Sequence, residues 1–480
     1  MRHASTILAS LLAVAVAPPA AAQPRLEVRF EPYAFRLRDN SEIAVERGRM
    51  LVPEDRYDPR SRRIEIGFLR FRSIAARPGN PIVYLAGGPG GSGLFTAQGP
   101  RQPIFLALRQ VADVIVLDQR GTGLSNHIPR CTAERRLDPA AGLNESALTA
   151  YYRETLRTCV ARWRAAGVAV NGYTTVQSAD DIEDLRRALG ARQVDLWGIS
   201  YGTHLGMAMM RRHPRSVGRV AFASVEGMSQ TVKLPAHVDA VYARIDRAVG
   251  GGLVERMRRL HARLDAEPLT LTAGPPEARI TFRMDSFAAR RMAGGLMADP
   301  AGYPRVMDAY AALEAGQGQA IAGPLYDFFY REPITVGMGE LMDIASGISD
   351  ARQALVARQA PASLLGLSVN FPMPQLRGLV PGLDLGDGFR REIRSSHEVL
   401  AFEGDLDVRT PLEEQAAATA GLSRRHRILV RNGGHNLFEA HPDVPGILVA
   451  FFSGRPVTVR ELVLPAPAPM RQAGVPSRHK

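Results

Sequence analysis

A serine hydroxyl becomes a useful nucleophile only beside a base, and one serine of this chain has the setting for it. Gly198-Ile199-Ser200-Tyr201-Gly202 fits the G-x-S-x-G pattern. In that pattern a sharp strand-to-helix turn holds the serine in an unfavourable backbone conformation and lifts its hydroxyl above the sheet. Side chains two residues to either side would collide with the turn, so glycine is needed at both positions. The run Val194-Asp195-Leu196-Trp197 before it reads as a strand, and residues 203–213 after it as a helix whose N-terminus favours negative charge developing at the serine. A purely structural turn is the competing reading. Strand before and helix behind argue for the nucleophile.

The base expected for Ser200 is His435, in Asn432-Gly433-Gly434-His435-Asn436, a loop after the last predicted strand. His204 sits one turn into the helix behind the serine, and His213, His261, His397 and His426 read as surface or element-end residues. The spacing of His435, Glu439 and His441 matches no zinc motif, so no metal is expected. A base needs an orienting carboxylate. Asp407 is the choice, in the loop that follows the strand at residues 398–402, with Asp405 its rival. Two backbone N–H groups should stabilise an oxyanion: that of Tyr201, and one from Gly87-Gly88-Pro89-Gly90-Gly91-Ser92-Gly93, where Gly88 is favoured. That loop lacks the Gly-Lys-Ser/Thr of a phosphate-binding loop. Asp118-Gln119-Arg120-Gly121-Thr122-Gly123 reads as a tight turn tied by charge-assisted hydrogen bonds, with substrate contact the alternative. This chemistry implies no metal or organic cofactor.

These residues need a scaffold, and the chain supplies one. Short apolar runs at 82–85, 114–117, 194–197 and 217–223 end in glycine or polar residues, the mark of buried parallel strands. Helical stretches lie between them, including one from Ser178 to Leu189 that stops at Gly190. Alternating strand and helix predicts a mostly parallel central sheet flanked by helices. Two β-rich segments, 43–52 and 64–71, precede it as a predicted antiparallel hairpin. The strand rhythm fades over 227–396, which reads as a mainly helical cap insertion, and returns at 398–402 and 427–430. The expected organisation is a leader at 1–22, a core at 23–226 and 397–456 interrupted by the cap, and a Pro-rich tail at 457–480. The order Ser200, Asp407, His435 is that of the α/β-hydrolase fold.

Composition narrows the setting. The net charge is +12 over 480 residues with 22% charged. Lysine occurs only at Lys233 and Lys480, and the arginines are scattered in ones and twos. No basic tract of the kind that binds nucleic acid is present. Arg2 and His3, an apolar run to Val16, and Ala20-Ala21-Ala22 before Gln23 describe a secretory leader. Its apolar run is too short to span a membrane, so export to the periplasm or the medium is expected rather than stable membrane insertion. In an oxidising compartment the two cysteines, Cys131 and Cys159, can form a single intramolecular bridge.

Together the GGPGG loop at 87–91, DQRGTG at 118–123, GxSYG around Ser200, GDxD at 404–407 and GGH at 433–435 resemble the prolyl-aminopeptidase and tripeptidyl-aminopeptidase-like branch of the α/β-hydrolases. The resemblance covers most of the chain outside the cap. It extends to Val-Pro-Glu-Asp at 52–55, and the cysteines fall where secreted members carry a bridge. It implies release of an N-terminal residue or short peptide through an acyl-enzyme, with acidic residues near the cap holding the substrate's free amine. Glu226 is the candidate here, and a carboxylate simply paired with an arginine is its plain alternative. The family's glycine loop often begins with histidine where this chain has Ala86. A carboxylesterase or other acyl hydrolase on the same fold is the second expectation, with a small peptide or ester as substrate. A non-catalytic binding protein is the third. Neither the substrate's side chain nor the oligomeric state follows from the sequence.

Overall fold

The computed structural model describes residues 27–470. The expected leader and the last ten residues lie outside the described residues. The strands are β1 (Val28–Arg36), β2 (Glu42–Pro53), β3 (Arg63–Phe71), β4 (Ile82–Leu85), β5 (Val114–Leu117), β6 (Cys131–Thr132), β7 (Val194–Ser200), β8 (Val217–Val225), β9 (Leu269–Ala273), β10 (Ile280–Met284), β11 (Thr335–Val336), β12 (Ser395–Gly404), β13 (Leu422–Arg431) and β14 (Glu461–Val463). Ten of them form one sheet in the order β1-β2-β3-β5-β4-β7-β8-β12-β13-β14. β1, β2, β3 and β5 pair antiparallel, and every pair from β5 and β4 onward is parallel.

Alternation along the strands builds two apolar layers. Ile82, Tyr84 and Trp197 face one side, packed on Phe105 and Phe438 beneath helices Gln102–Leu108 and Val444–Phe452. Val83, Leu85 and Leu196 face the other, packed on Leu205 and Phe222 and covered by helices Glu145–Ala165, Thr175–Ala188 and Tyr201–Arg212. The Cys131–Cys159 disulfide ties β6 to the first of these helices.

Between β8 and β12 runs a segment of mainly helical elements with its own core, in which Tyr242, Met257, Tyr303 and Tyr310 are buried. It also contains a β9–β10 hairpin, which the reading of this stretch as rhythmless missed. Leu269, Leu271 and Ala273 alternate with threonines, and Ile280, Phe282 and Met284 do the same with polar partners. That is the period-2 signal of a half-buried strand.

Other differences lie at the edges. β1 extends the expected hairpin to three strands despite Pro32, which an edge strand tolerates because one row of its N–H groups needs no partner. The segment expected as a tail returns to the sheet as β14, and Met470 N–H donates to Val249 O at 2.8 Å. The helix expected from Ser178 starts earlier. Thr174 caps it, its hydroxyl accepting from Gln177 N–H at 3.3 Å, and Ser178 is buried inside it. Among the described residues no helix is long and apolar enough to cross a membrane.

Candidate active site

β7 passes into helix Tyr201–Arg212 at Ser200 with no intervening residue. Ser200 takes φ 56° and ψ −130°, a conformation that L-residues avoid. The flanking glycines show what enforces it. A Cβ at Gly202 would lie 2.1 Å from Leu85 O, and one at Gly198 would lie 2.8 Å from Gly202 O. Thr203 Oγ1 donates to Ser200 O at 2.7 Å, while the Ser200 hydroxyl makes no capping bond to the helix behind it.

The glycine loop after β4 passes directly beside this serine. A Cβ at Gly87 would stand 3.1 Å from Ser200 Cβ, and Gly88 lines the same cavity as Ser200. The Asp118 turn anchors both ends of that loop. Asp118 Oδ1 accepts from Ser92 Oγ at 2.9 Å and from Gly93 N–H at 2.6 Å, and Gln119 Nε2 donates to Ala86 O at 3.0 Å. Asp118 Oδ2 accepts from Leu124 N–H at 2.7 Å, closing its own turn. Arg120 points away from the cavity. It is fully buried and grips Asp181 with two bonds, at 2.8 and 2.7 Å.

His435 and Asp407 come together. His435 Nδ1 is 3.0 Å from each Asp407 carboxylate oxygen. Asp407 is fully buried and also accepts from Arg409 N–H (2.8 Å), Thr410 N–H (2.9 Å) and Thr410 Oγ1 (2.6 Å). Burial pushes its carboxyl upward, but His435 and Thr410 outweigh that and hold it below the ordinary aspartate value. The rival Asp405 turns instead toward Arg431, at 3.8 Å. Ser200, Asp407 and His435 therefore lie at or just beyond the C-terminal ends of β7, β12 and β13, where open parallel sheets carry their sites.

Among the bonds that fix the His435 backbone, two come from side chains. Ser224 Oγ donates to His435 O at 2.6 Å from the end of β8. Asp299, in the segment between β8 and β12, accepts from His435 N–H at 2.7 Å and Asn436 N–H at 2.9 Å. Leu406 and Val408, either side of Asp407, are buried in that segment's core.

The cavity at Ser200 has a volume of about 170 Å³ and is lined in part by Glu226, Lys233, Asp343 and Arg409. The Glu226 carboxylate is held by Lys233 Nζ at 2.6 Å, so its partner is one of the chain's two lysines rather than an arginine. Asp343 makes no side-chain hydrogen bond or ion pair among the described residues. Burial, reinforced by the Glu226 charge, pushes its carboxyl well above the ordinary value. Sequence reasoning missed Lys233, Asp299 and Asp343. The two aspartates lie in helical or loop stretches with no motif around them. The isolation of Lys233 in a lysine-poor chain was the one available signal.

The family comparison decides the class: residues 80–442 match the alpha/beta hydrolase fold. The chain belongs to that family. Within it, this α/β-hydrolase is 28% identical over 197 residues to a tripeptidyl aminopeptidase of Streptomyces coelicolor, covering 39% of this chain and 36% of that one. It is 28% identical over 178 residues to the serine protease Hip1 of Mycobacterium tuberculosis, covering 35% and 34%. The matched stretches thus span about a third of these relatives' own length. Among solved structures, it aligns with a proline iminopeptidase of Mycobacterium smegmatis over 82% of this chain and 95% of that one, at 15% identity and a TM-score of 0.40.

Proposed function

We propose that this α/β-hydrolase is an exported serine aminopeptidase that cleaves an N-terminal residue or short peptide through an acyl-enzyme. In this reading Ser200 attacks the scissile carbonyl, His435 takes the proton and returns it to the leaving amine, and Asp407 holds the imidazole tautomer. The N–H groups of Tyr201 and Gly88 stabilise the oxyanion. The strain at Ser200 and the short Asp407–His435 contacts support that assignment. The peptidase relatives favour an amide substrate. The leader pattern and the disulfide support export.

One observation carries the aminopeptidase reading. The carboxyl group of Asp343, which has no hydrogen bond or ion pair among the described residues, shares the cavity of Ser200. A substrate ammonium is the natural complement to such a group. Glu226, already held by Lys233, supports the site electrostatically rather than serving as the free anchor. The test is hydrolysis of matched p-nitroanilides with free and blocked amines, beside a short p-nitrophenyl ester. Free-amine substrates are expected to be preferred by about a hundred-fold, in line with loss of a charge-assisted contact of about 1.5–3 kcal/mol. Ester turnover without anilide turnover would replace the peptidase with an esterase.

Asp343 also predicts a pH effect. Only its ionised form pairs with an ammonium, and its raised pKa keeps it protonated further up the pH scale than an ordinary aspartate. KM for free-amine substrates is therefore expected to fall as pH rises through the acid range. KM for N-blocked substrates should stay flat there. Asp343→Asn should remove the difference between the two profiles, which steady-state kinetics across pH would read directly.

A further inference from the structure

The cavity at Ser200 is lined by four ionisable side chains, and only two of them form an ion pair. Glu226 and Lys233 neutralise each other at 2.6 Å. Asp343 and Arg409 line the same space with no ion pair between them, and neither side chain bonds to any described residue. Arg409 is half-buried, and its backbone N–H serves Asp407, which fixes the position of its Cα. A guanidinium stays charged at any pH of interest, and it disfavours a recessed site without a counter-charge. Its planar fork fits a carboxylate through two parallel bonds.

We propose that Arg409 is a carboxylate-recognition residue, and that the preferred substrate is a short zwitterionic peptide. Its ammonium meets Asp343 and its carboxylate meets Arg409. The inference rests on the aminopeptidase reading for the ammonium, but the Arg409 contact is testable apart from it. The size of the cavity favours a short ligand: about 170 Å³ is below the roughly 300–1,000 Å³ common for ligand pockets. A carboxyl and a guanidinium that bond to no described residue, set around so small a space, suit one molecule that carries both complementary groups. The carboxylate can come from the free C-terminus of the peptide or from an acidic side chain in it.

Calorimetry on Ser200→Ala protein reads this contact without turnover. Ala-Ala against Ala-Ala-amide tests the C-terminal carboxylate, and Glu-Ala-amide against Gln-Ala-amide tests the side chain. In at least one pair the carboxylate-bearing member is expected to bind about ten-fold or more tightly, a factor of about 1.4 kcal/mol. The ratio should fall to near one in Ser200→Ala/Arg409→Met and be partly kept in Ser200→Ala/Arg409→Lys. Because the readout is a ratio within one protein, a general loss of folded protein cancels. Equal affinities within both pairs, no binding of any member, or a ratio untouched by Arg409→Met would each overturn the proposal. Failure of the aminopeptidase reading shows elsewhere, as absent turnover of free-amine anilides by the protein with Ser200 intact.

Discussion

Ser200→Ala and His435→Ala are each expected to lower kcat by about 10⁶-fold, with the double variant little worse than either alone, because in the proposed mechanism nucleophile and base act as one unit. Asp407→Asn is expected to cost about 10⁴-fold, since the amide fits the space but presents the wrong partner to Nδ1. The geometry explains why each loss is so large. Asp407 is buried with both oxygens 3.0 Å from His435 Nδ1, and no other described residue bonds to the ring. Ser200 sits at φ 56° on a strand-to-helix turn, and its hydroxyl makes no capping bond to the helix behind it. A serine-directed phosphonate should label the unmodified protein and fail on Ser200→Ala. The Ser200→Ala protein should unfold at the same denaturant concentration as the parent or slightly above it. Strain of this kind costs of order 1–3 kcal/mol and is retained for function rather than stability. Substantial turnover by Ser200→Ala would remove Ser200 from the mechanism.

The parts of this site that are legible in sequence are those whose demands are local. Gly198 and Gly202 are dictated by contacts of 2.8 and 2.1 Å that any side chain would violate, so the pattern around Ser200 carries its own geometry. The glycine loop and the Asp118 turn are legible for the same reason, although the bonds from Asp118 to Gly93 and from Gln119 to Ala86 join two motifs that sequence treats separately. The central strands are legible because buried parallel strands are short apolar runs with abrupt ends. The sheet edges are less so: β1 contains a proline and β14 is three residues long.

What sequence does not display depends on how the segment between β8 and β12 folds back. Asp299 reaches His435 across 136 positions, and Asp343 arrives at the Ser200 cavity from a helix with no motif. Helical periodicity reports which face of a helix is apolar, and it is silent on which polar residue meets which distant loop. The segment therefore does more than cover the cavity. Through Asp299, and through the packing of Leu406 and Val408, it sets the positions of His435 and Asp407 themselves.

Arg120→Met is expected to destabilise the protein by about 3–5 kcal/mol, the usual consequence of stripping one partner from a buried ion pair. Arg120 has no solvent exposure, and its guanidinium meets Asp181 twice, Glu54 O at 2.6 Å and Gly172 O at 2.7 Å. Removing it leaves two buried carbonyls unpaired and leaves Asp181 to Arg56 alone, at 2.6 Å. That remaining pair places the loss toward the lower end of the range. Arg157→Ala is the control. Its ion pair with Glu154 is exposed on both sides, at 59% and 70%, and such pairs contribute about 0.2–1 kcal/mol at most. Denaturant midpoints of the two variants would separate these cases. Adding Asp181→Leu to Arg120→Met should recover part of the loss, because Arg56 alone compensates the buried carboxylate less well than two guanidinium groups do. Were Arg120→Met no more harmful than Arg157→Ala, the turn would owe its order to Asp118 alone. Were the double variant worse than Arg120→Met, Asp181 would be supporting the fold through Arg56 independently of Arg120.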